Sequence, residues 1–172
     1  MADIREMDGE QMQFTDGEFD FVWSWGVIHH SAHTDRIVRE VARVLRPGGE
    51  FRAMVYNRHA LCAYTSIVRG FVSGKYLQGM SVNDVLSFYT DGYLARHYSR
   101  SSLARLLDDN GLATKRITAL GLTTELIPIP GKGVAGRFKS ALLGTVPDRV
   151  AERALQSVGS LLFAIAAKPA RQ

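Results

Sequence analysis

Between Phe19 and Trp25, aromatic and β-branched side chains crowd together as Phe-Asp-Phe-Val-Trp-Ser-Trp, the pattern of a strand buried in a sheet. Gly26 ends that run. From Asp35 to Leu45 the period changes: Ile37, Val38, Val41, Ala42, Val44 and Leu45 fall at helical spacing, with Arg36, Arg39, Glu40 and Arg43 between them. Thr34 or Asp35 can accept a bond from the free amides that open this helix. Pro47 cannot continue it, and Gly48 and Gly49 can supply the positive backbone angles that reverse the chain. Phe51 to Tyr56 then predicts a second buried strand. Such a strand–helix–strand unit pairs its strands in parallel through a right-handed crossover.

Beyond Tyr56, Leu61, Tyr64, Ile67, Val68, Phe71 and Val72 make one helical face within Asn57 to Ser73, and Gly74 can end that helix. Ser81-Val82-Asn83-Asp84 has the form of a capping box opening a short helix through Phe88, followed by a turn from Tyr89 to Tyr93. Ser99 to Ser102 offer N-caps for a helix carrying Leu103, Leu106 and Leu107, which Asn110-Gly111 terminates. Thr114 to Leu122 suits a strand. Ile127 to Gly131 is extended, and its two prolines exclude a central strand. Val134 to Leu143 and Pro147 to Val158 predict helices, and Leu161 to Lys168 a closing strand.

Composition narrows the class. The chain has 172 residues, 46% hydrophobic and 22% charged, which suits one globular domain with a sizeable core. The net charge of +4 is dispersed, with no Lys/Arg-rich run, and argues against a nucleic-acid partner. A single cysteine, Cys62, excludes an internal disulfide and a Cys-based metal cluster. No His, Cys or carboxylate spacing suggests a metal site. The polar, acidic N-terminus does not read as a signal peptide, and Leu161 to Ala167 is too short to span a bilayer. No membrane association and a cytoplasmic location are expected.

The order Asp16-Gly17-Glu18-Phe19-Asp20, then Gly26-Val27-Ile28-His29-His30, then a helix with Glu40 and Arg43, then Leu45-Arg46-Pro47-Gly48-Gly49, closely resembles the class I S-adenosylmethionine-dependent methyltransferases of type 11. Asp8-Gly9-Glu10-Gln11-Met12-Gln13-Phe14 is similar to the family's segment after its third strand, whose acidic residue meets the adenine amino group. The resemblance implies an α/β fold: a partial Rossmann-like methyltransferase sheet, its C-terminal half, with parallel strands, a terminal antiparallel pair and a helical lid insertion. It also implies S-adenosylmethionine as cofactor and methyl transfer to a small-molecule nucleophile. The whole chain, 1–172, is expected to form a single domain, with 57–98 as the lid. That segment alternatively forms a helical hairpin that only covers the sheet.

Ligands in open α/β sheets lie beyond the carboxyl ends of the strands. That rule makes Ser24, Trp25 and Gly26 expected cofactor contacts and Tyr56, Asn57 and Arg58 expected substrate contacts. The resemblance implies Asp8 and Gly9 against the adenine. Tyr93 and His97, in the polar aromatic group of the lid with Tyr89, Asp91, Arg96 and Tyr98, are further candidates for the substrate. Trp25 walls the cofactor or fills the core. His30 or His29 is the candidate base, because an imidazole titrates near neutral pH; packing is the other role open to both. The family's Gly-rich turn after its first strand is missing, since Met1 to Met7 holds no glycine. The chain is accordingly expected to be N-terminally truncated, and Phe19 to Trp25 to be an exposed sheet edge through which it can form an oligomer. A non-catalytic remnant or partner subunit that does not bind the cofactor alone is the alternative. A nicotinamide-dependent oxidoreductase fits less well, because that class also needs the Gly-rich fingerprint.

Overall fold

The computed structural model describes residues 3–92, 94–127 and 133–170. Strand β1 (Phe19–Trp25), helix α1 (Thr34–Val44) and strand β2 (Leu45–Asn57) form the expected unit, and the strands pair in parallel. Helices α2 (Leu61–Val72) and α3 (Val82–Thr90) follow, then the two-residue strand β3 (His97–Tyr98) and helix α4 (Arg100–Asp108). Strand β4 (Ala113–Leu120), helices α5 (Gly133–Leu143) and α6 (Asp148–Val158), and strand β5 (Leu161–Ala167) complete the chain. The sheet runs β1-β2-β5-β4, with β3 alongside the far end of β2.

The late strands are antiparallel, β5 to both β2 and β4. Only β1–β2 and the short β2–β3 pairing are parallel, so the described sheet is mostly antiparallel. The Arg46-Pro47-Gly48-Gly49 turn lies inside β2 as a loop-out. Phe19 faces Leu45, yet Phe21 faces Glu50. Gly48 takes φ +83°, and a Cβ on Gly49 would stand 2.9 Å from the Arg46 carbonyl oxygen, so both glycines are needed there. Arg46 pairs with Asp20 across the loop. Lys168 Nζ donates to the Leu45 carbonyl at 2.7 Å and the Arg43 carbonyl at 3.3 Å, closing the end of α1 from the last strand.

Helix α1 does not start as expected. Its N-cap is His33, without a side-chain bond, and neither Thr34 nor Asp35 caps it. The Thr34 hydroxyl instead donates to the Ile28 carbonyl and accepts from the Tyr98 hydroxyl, while Asp35 pairs with Arg39. The expected Ser81–Asp84 capping box forms, and of the N-caps offered by Ser99 to Ser102 it is Ser99 that caps α4, in a second box with Ser102. Of the extended stretch expected at Ile127 to Gly131, residues 128–131 lie outside the described residues.

The two faces of the sheet differ. On one, Val38, Val41 and Leu45 from the α1 side and Leu103 and Leu107 from α4 pack on Phe51, Val55 and Leu162, all buried. Val22 joins that core from β1. The alternate residues of β1 point the other way, as strand geometry requires. Phe21, Trp23 and Trp25 there remain 45%, 50% and 47% exposed. Trp23 and Trp25 stack at 5.5 Å with near-parallel planes, and Phe163 of β5 leans on both.

Candidate active site

Trp25 faces Met54 in the parallel β1–β2 ladder, so Gly26 and Tyr56 leave the sheet at the same end. Gly26 takes φ +73° and its amide donates to the Met54 carbonyl at 3.3 Å, turning the chain sharply as the strand stops. A single 3-10 turn, Ile28–His30, then places the two histidines. Where β1 ends, β3 takes its place beside β2, with His97 opposite Tyr56. The histidine pair, Tyr56 and His97 are thus gathered from three parts of the chain.

The two neighbouring histidines are held differently. His29 is fully buried, 4.2 Å from the His30 ring and 4.4 Å from the Tyr56 ring between centroids. Neither of its ring nitrogens has a hydrogen-bond partner. Burial first, then the neighbouring His30, pushes it down to about 4; the Asp91 charge and the nearby Met54 carbonyl act weakly the other way. His29 is therefore neutral near pH 7.

His30 is half-exposed, and its Nδ1 lies 2.9 Å from the Leu94 carbonyl. A carbonyl only accepts, so Nδ1 carries the proton and Nε2 keeps its lone pair in the neutral ring. Asp91 Oδ2 stands 3.8 Å from Nε2. Burial, then the nearby Asp91 carboxylate, push the Tyr56 phenol up to about 12. His97 stacks on Tyr56 at 5.3 Å and is anchored through Nδ1 to the Ala95 carbonyl at 3.1 Å. Burial pushes its pKa down.

A cavity of about 250 Å³ opens beside this cluster, lined by Tyr56, Cys62, Tyr89, Thr90, His97 and Ser160 among others, between the end of β2 and helices α2 and α3. Asn57 lines it too, but both ends of its amide are engaged: Nδ2 donates to the Gly159 carbonyl at 2.8 Å, and Oδ1 accepts from the His59 amide at 3.0 Å. Arg58 faces a second cavity of about 290 Å³ with Ser87, Arg96 and Ser102. Tyr93 lies outside the described residues.

On the β1 side, the Ser24 hydroxyl is buried without a partner, and Trp25 presents a half-open ring on the sheet's bare face. Asp8 is exposed, its Oδ1 accepting from the Glu10 amide at 2.8 Å; Gly9 packs toward Ile37. This segment is moored to the site by Glu10, whose Oε1 accepts from the Ser31 hydroxyl at 2.6 Å, one residue past His30. Glu40 and Arg43 of α1 hold the next stretch: Glu40 accepts from the Met12 amide, and Arg43 donates to the Met12 and Phe14 carbonyls and to Asp16. Among the described residues, no group of three His, Cys, Asp or Glu side chains is placed to hold a metal.

The Leu94 carbonyl and Glu10 are participants missing from the sequence-derived set, and Asp91 was expected only toward the substrate, not beside His30. Asp91 stood in a polar turn with nothing to connect it to His30. A carbonyl partner leaves no trace in side-chain pattern, and Glu10 was visible only as part of an acidic, Gly-containing segment.

Residues 2–53 match a family model described as a methyltransferase domain. Sarcosine/dimethylglycine N-methyltransferase of Halorhodospira halochloris is 50% identical over 42 residues, which are 24% of this chain and 15% of that protein. The 27-O-demethylrifamycin SV methyltransferase of Amycolatopsis mediterranei is 40% identical over 42 residues, again 24% of this chain and 15% of that one. The matched stretch is therefore a small part of these relatives. Among solved structures, a SAM-dependent methyltransferase from Methanosarcina mazei superposes with a TM-score of 0.55 at 18% identity, covering 96% of this chain and 66% of that one. That likeness shows a Rossmann-like fold. Residues 2–53 thus match a methyltransferase domain, and the described chain shares the fold of the SAM-dependent methyltransferase on which it superposes.

Proposed function

We propose that this chain methylates a small-molecule nucleophile, with His30 as the base. The observation that carries the reading is the fixed tautomer of His30: Nδ1 is spent on the Leu94 carbonyl, and the Nε2 lone pair faces Asp91 and Tyr56 at the strand ends. Such a nitrogen takes a proton from an oxygen or nitrogen nucleophile, and Asp91 stabilises the imidazolium that results. His29, buried and neutral, is the surface on which His30 and Tyr56 pack, a positioning role. The names of the two curated relatives, one an N-methyltransferase and the other acting on a demethylrifamycin, support a small acceptor.

When bound, S-adenosylmethionine supplies an electrophilic methyl group. The residues that would hold it are Asp8 and Gly9, beside the site through Glu10, with Ser24, Trp25 and Gly26 at the end of β1. Two features suit a ligand there: the orphaned buried hydroxyl of Ser24, and the side-chain-free stretch at Gly26. Tyr56, Arg58, Tyr93 and His97 are assigned to the substrate, as is Asn57 through its place in the cavity wall. Helices α2 and α3 act as the lid, excluding water and holding the acceptor in line.

Calorimetric titration of the chain with S-adenosylmethionine tests this. Saturable heat is expected, and His30→Gln should retain it while slowing methyl transfer about 100-fold or more. Absence of binding heat overturns the reading in favour of a non-catalytic remnant or partner subunit. Unchanged turnover in His30→Gln removes His30 from the chemistry.

A further inference from the structure

Among the described residues, some arginines of this chain are matched by carboxylates and others are not. From Arg5 to Arg52 each one meets a carboxylate: Arg5 with Asp3, Arg36 with Glu10, Arg39 with Asp35, Arg43 with Glu40 and Asp16, Arg46 with Asp20, and Arg52 with Glu50. At the opposite edge of the sheet, Arg100 at the start of α4, Arg116 on edge strand β4 and Arg153 on α6 line one open concavity of about 560 Å³. None of the three has an ion-pair partner among the described residues. Arg100 donates to the Gln156 carbonyl, and Arg116 to the Thr118 hydroxyl at 3.1 Å, both neutral acceptors. The remaining lining is Ile117, Thr118, Gln156 and Ser157, with no carboxylate. Glu152, next to Arg153 in sequence, does not line it.

We propose that this groove binds a compact polyphosphate group, free or carried by a nucleotide. Three guanidinium forks brought from three different elements to one hollow, without counter-charge, match an anion with several phosphoryl groups. Each fork is a planar, doubly donating partner for phosphate oxygens, and the hydroxyls of Thr118 and Ser157 add neutral donors. A concavity of about 560 Å³ has room for more than one phosphoryl group. A nucleic-acid strand needs basic positions continuing along its length, and the rest of the positive charge is dispersed. The site is separate from the His30 cluster, so it stands or falls independently of methyl transfer.

Isothermal titration of the whole chain with tripolyphosphate at low salt is the test. Saturable one-to-one binding is expected, weakening as salt rises. Arg116→Gln and Arg153→Gln should each weaken it about tenfold. Arg153→Lys, which keeps the charge and loses the fork, should fall between. Arg39→Gln, whose guanidinium lies outside the groove, should leave affinity unchanged. Circular dichroism confirms that each variant is folded; both substituted side chains are exposed. The proposal is overturned by no saturable heat, by equal loss in Arg39→Gln, or by unchanged affinity in both groove variants. It is also overturned if a single-stranded oligonucleotide binds more tightly through the same arginines, which would make the groove a nucleic-acid surface.

Discussion

In α1 the residues at helical spacing, Ile37, Val38, Val41, Ala42 and Val44, all lie in the interior, whereas in α2 Tyr64, Val68, Phe71 and Val72 face outward. Both helices carry the pattern that predicts a buried face, and what each one meets explains the difference. Helix α1 rests on the sheet, which offers β-branched and aromatic side chains to interlock with. Helix α2 packs chiefly on α3, and they approach closely. A Cβ on Gly70 would come within 2.4 Å of Val85 Cγ1, so the buried side of α2 is its line of small residues, Ala63 and Gly70. Periodicity announces a helix; the partner decides which side is covered.

Two phenylalanines sharpen that contrast most. Phe51, 1% exposed, lies at the centre of the β2 core under α1 and α4. Phe51→Ala should lower stability by about 3 to 5 kcal/mol, read from the shift in urea midpoint at constant slope. A loss below about 1 kcal/mol would mean that this core does not carry the cooperative unit, and the distinction drawn between the two regions would fail.

Where the sequence was legible, the cause was local. Phe19 to Trp25, the α1 run, the Ser81–Asp84 and Ser99–Ser102 caps and the turn at Gly48 each depend on residues within a few positions of one another. The joint exit of Trp25 and Tyr56 followed from one further rule, that a helical crossover makes neighbouring strands parallel. What stayed hidden depends on distant partners. Thr34 looked like a cap because its competing acceptor, Ile28, and its donor, Tyr98, come from elsewhere in the fold. His29 and His30 are adjacent and chemically alike in the sequence. Only packing against Tyr56 and the arrival of Leu94 and Asp91 divide them into a buried ring and an open one.

That division predicts a pH dependence confined to the sheet-end cluster. His29 faces His30, His97, Tyr56 and Asp91, and its pKa falls from 6.5 to about 4 on folding. Above pH 6.5 the ring is neutral in both states and costs nothing. Between pH 6.5 and about 4 the unfolded chain takes up a proton that the folded chain refuses, so stability drops as pH falls through that window. The loss should reach about 2 kcal/mol, somewhat below the full depression because part of the surroundings is solvated. Urea midpoints compared at pH 7 and pH 5 for the parent chain and His29→Gln isolate this from the carboxylates, which titrate lower. An identical slope in the variant would show that His29 is not the group responsible.

The smallest expected effect tests the other region most directly. Phe71 is 78% exposed on α2, beside the likewise exposed Val68 and Val72, and belongs to neither buried cluster. Phe71→Ser removes apolar surface that is already in water, so its transfer free energy has largely been forgone in the folded state. Serine and phenylalanine have nearly equal helix propensity, so the backbone adds little to the change. The substitution should therefore shift stability by no more than about 0.5 kcal/mol, against several for the same residue type at position 51. A loss near 2 kcal/mol would mean that the outer face of α2 is covered in solution. The contrast with α1 would then reflect which neighbours are present rather than how the two helices are built.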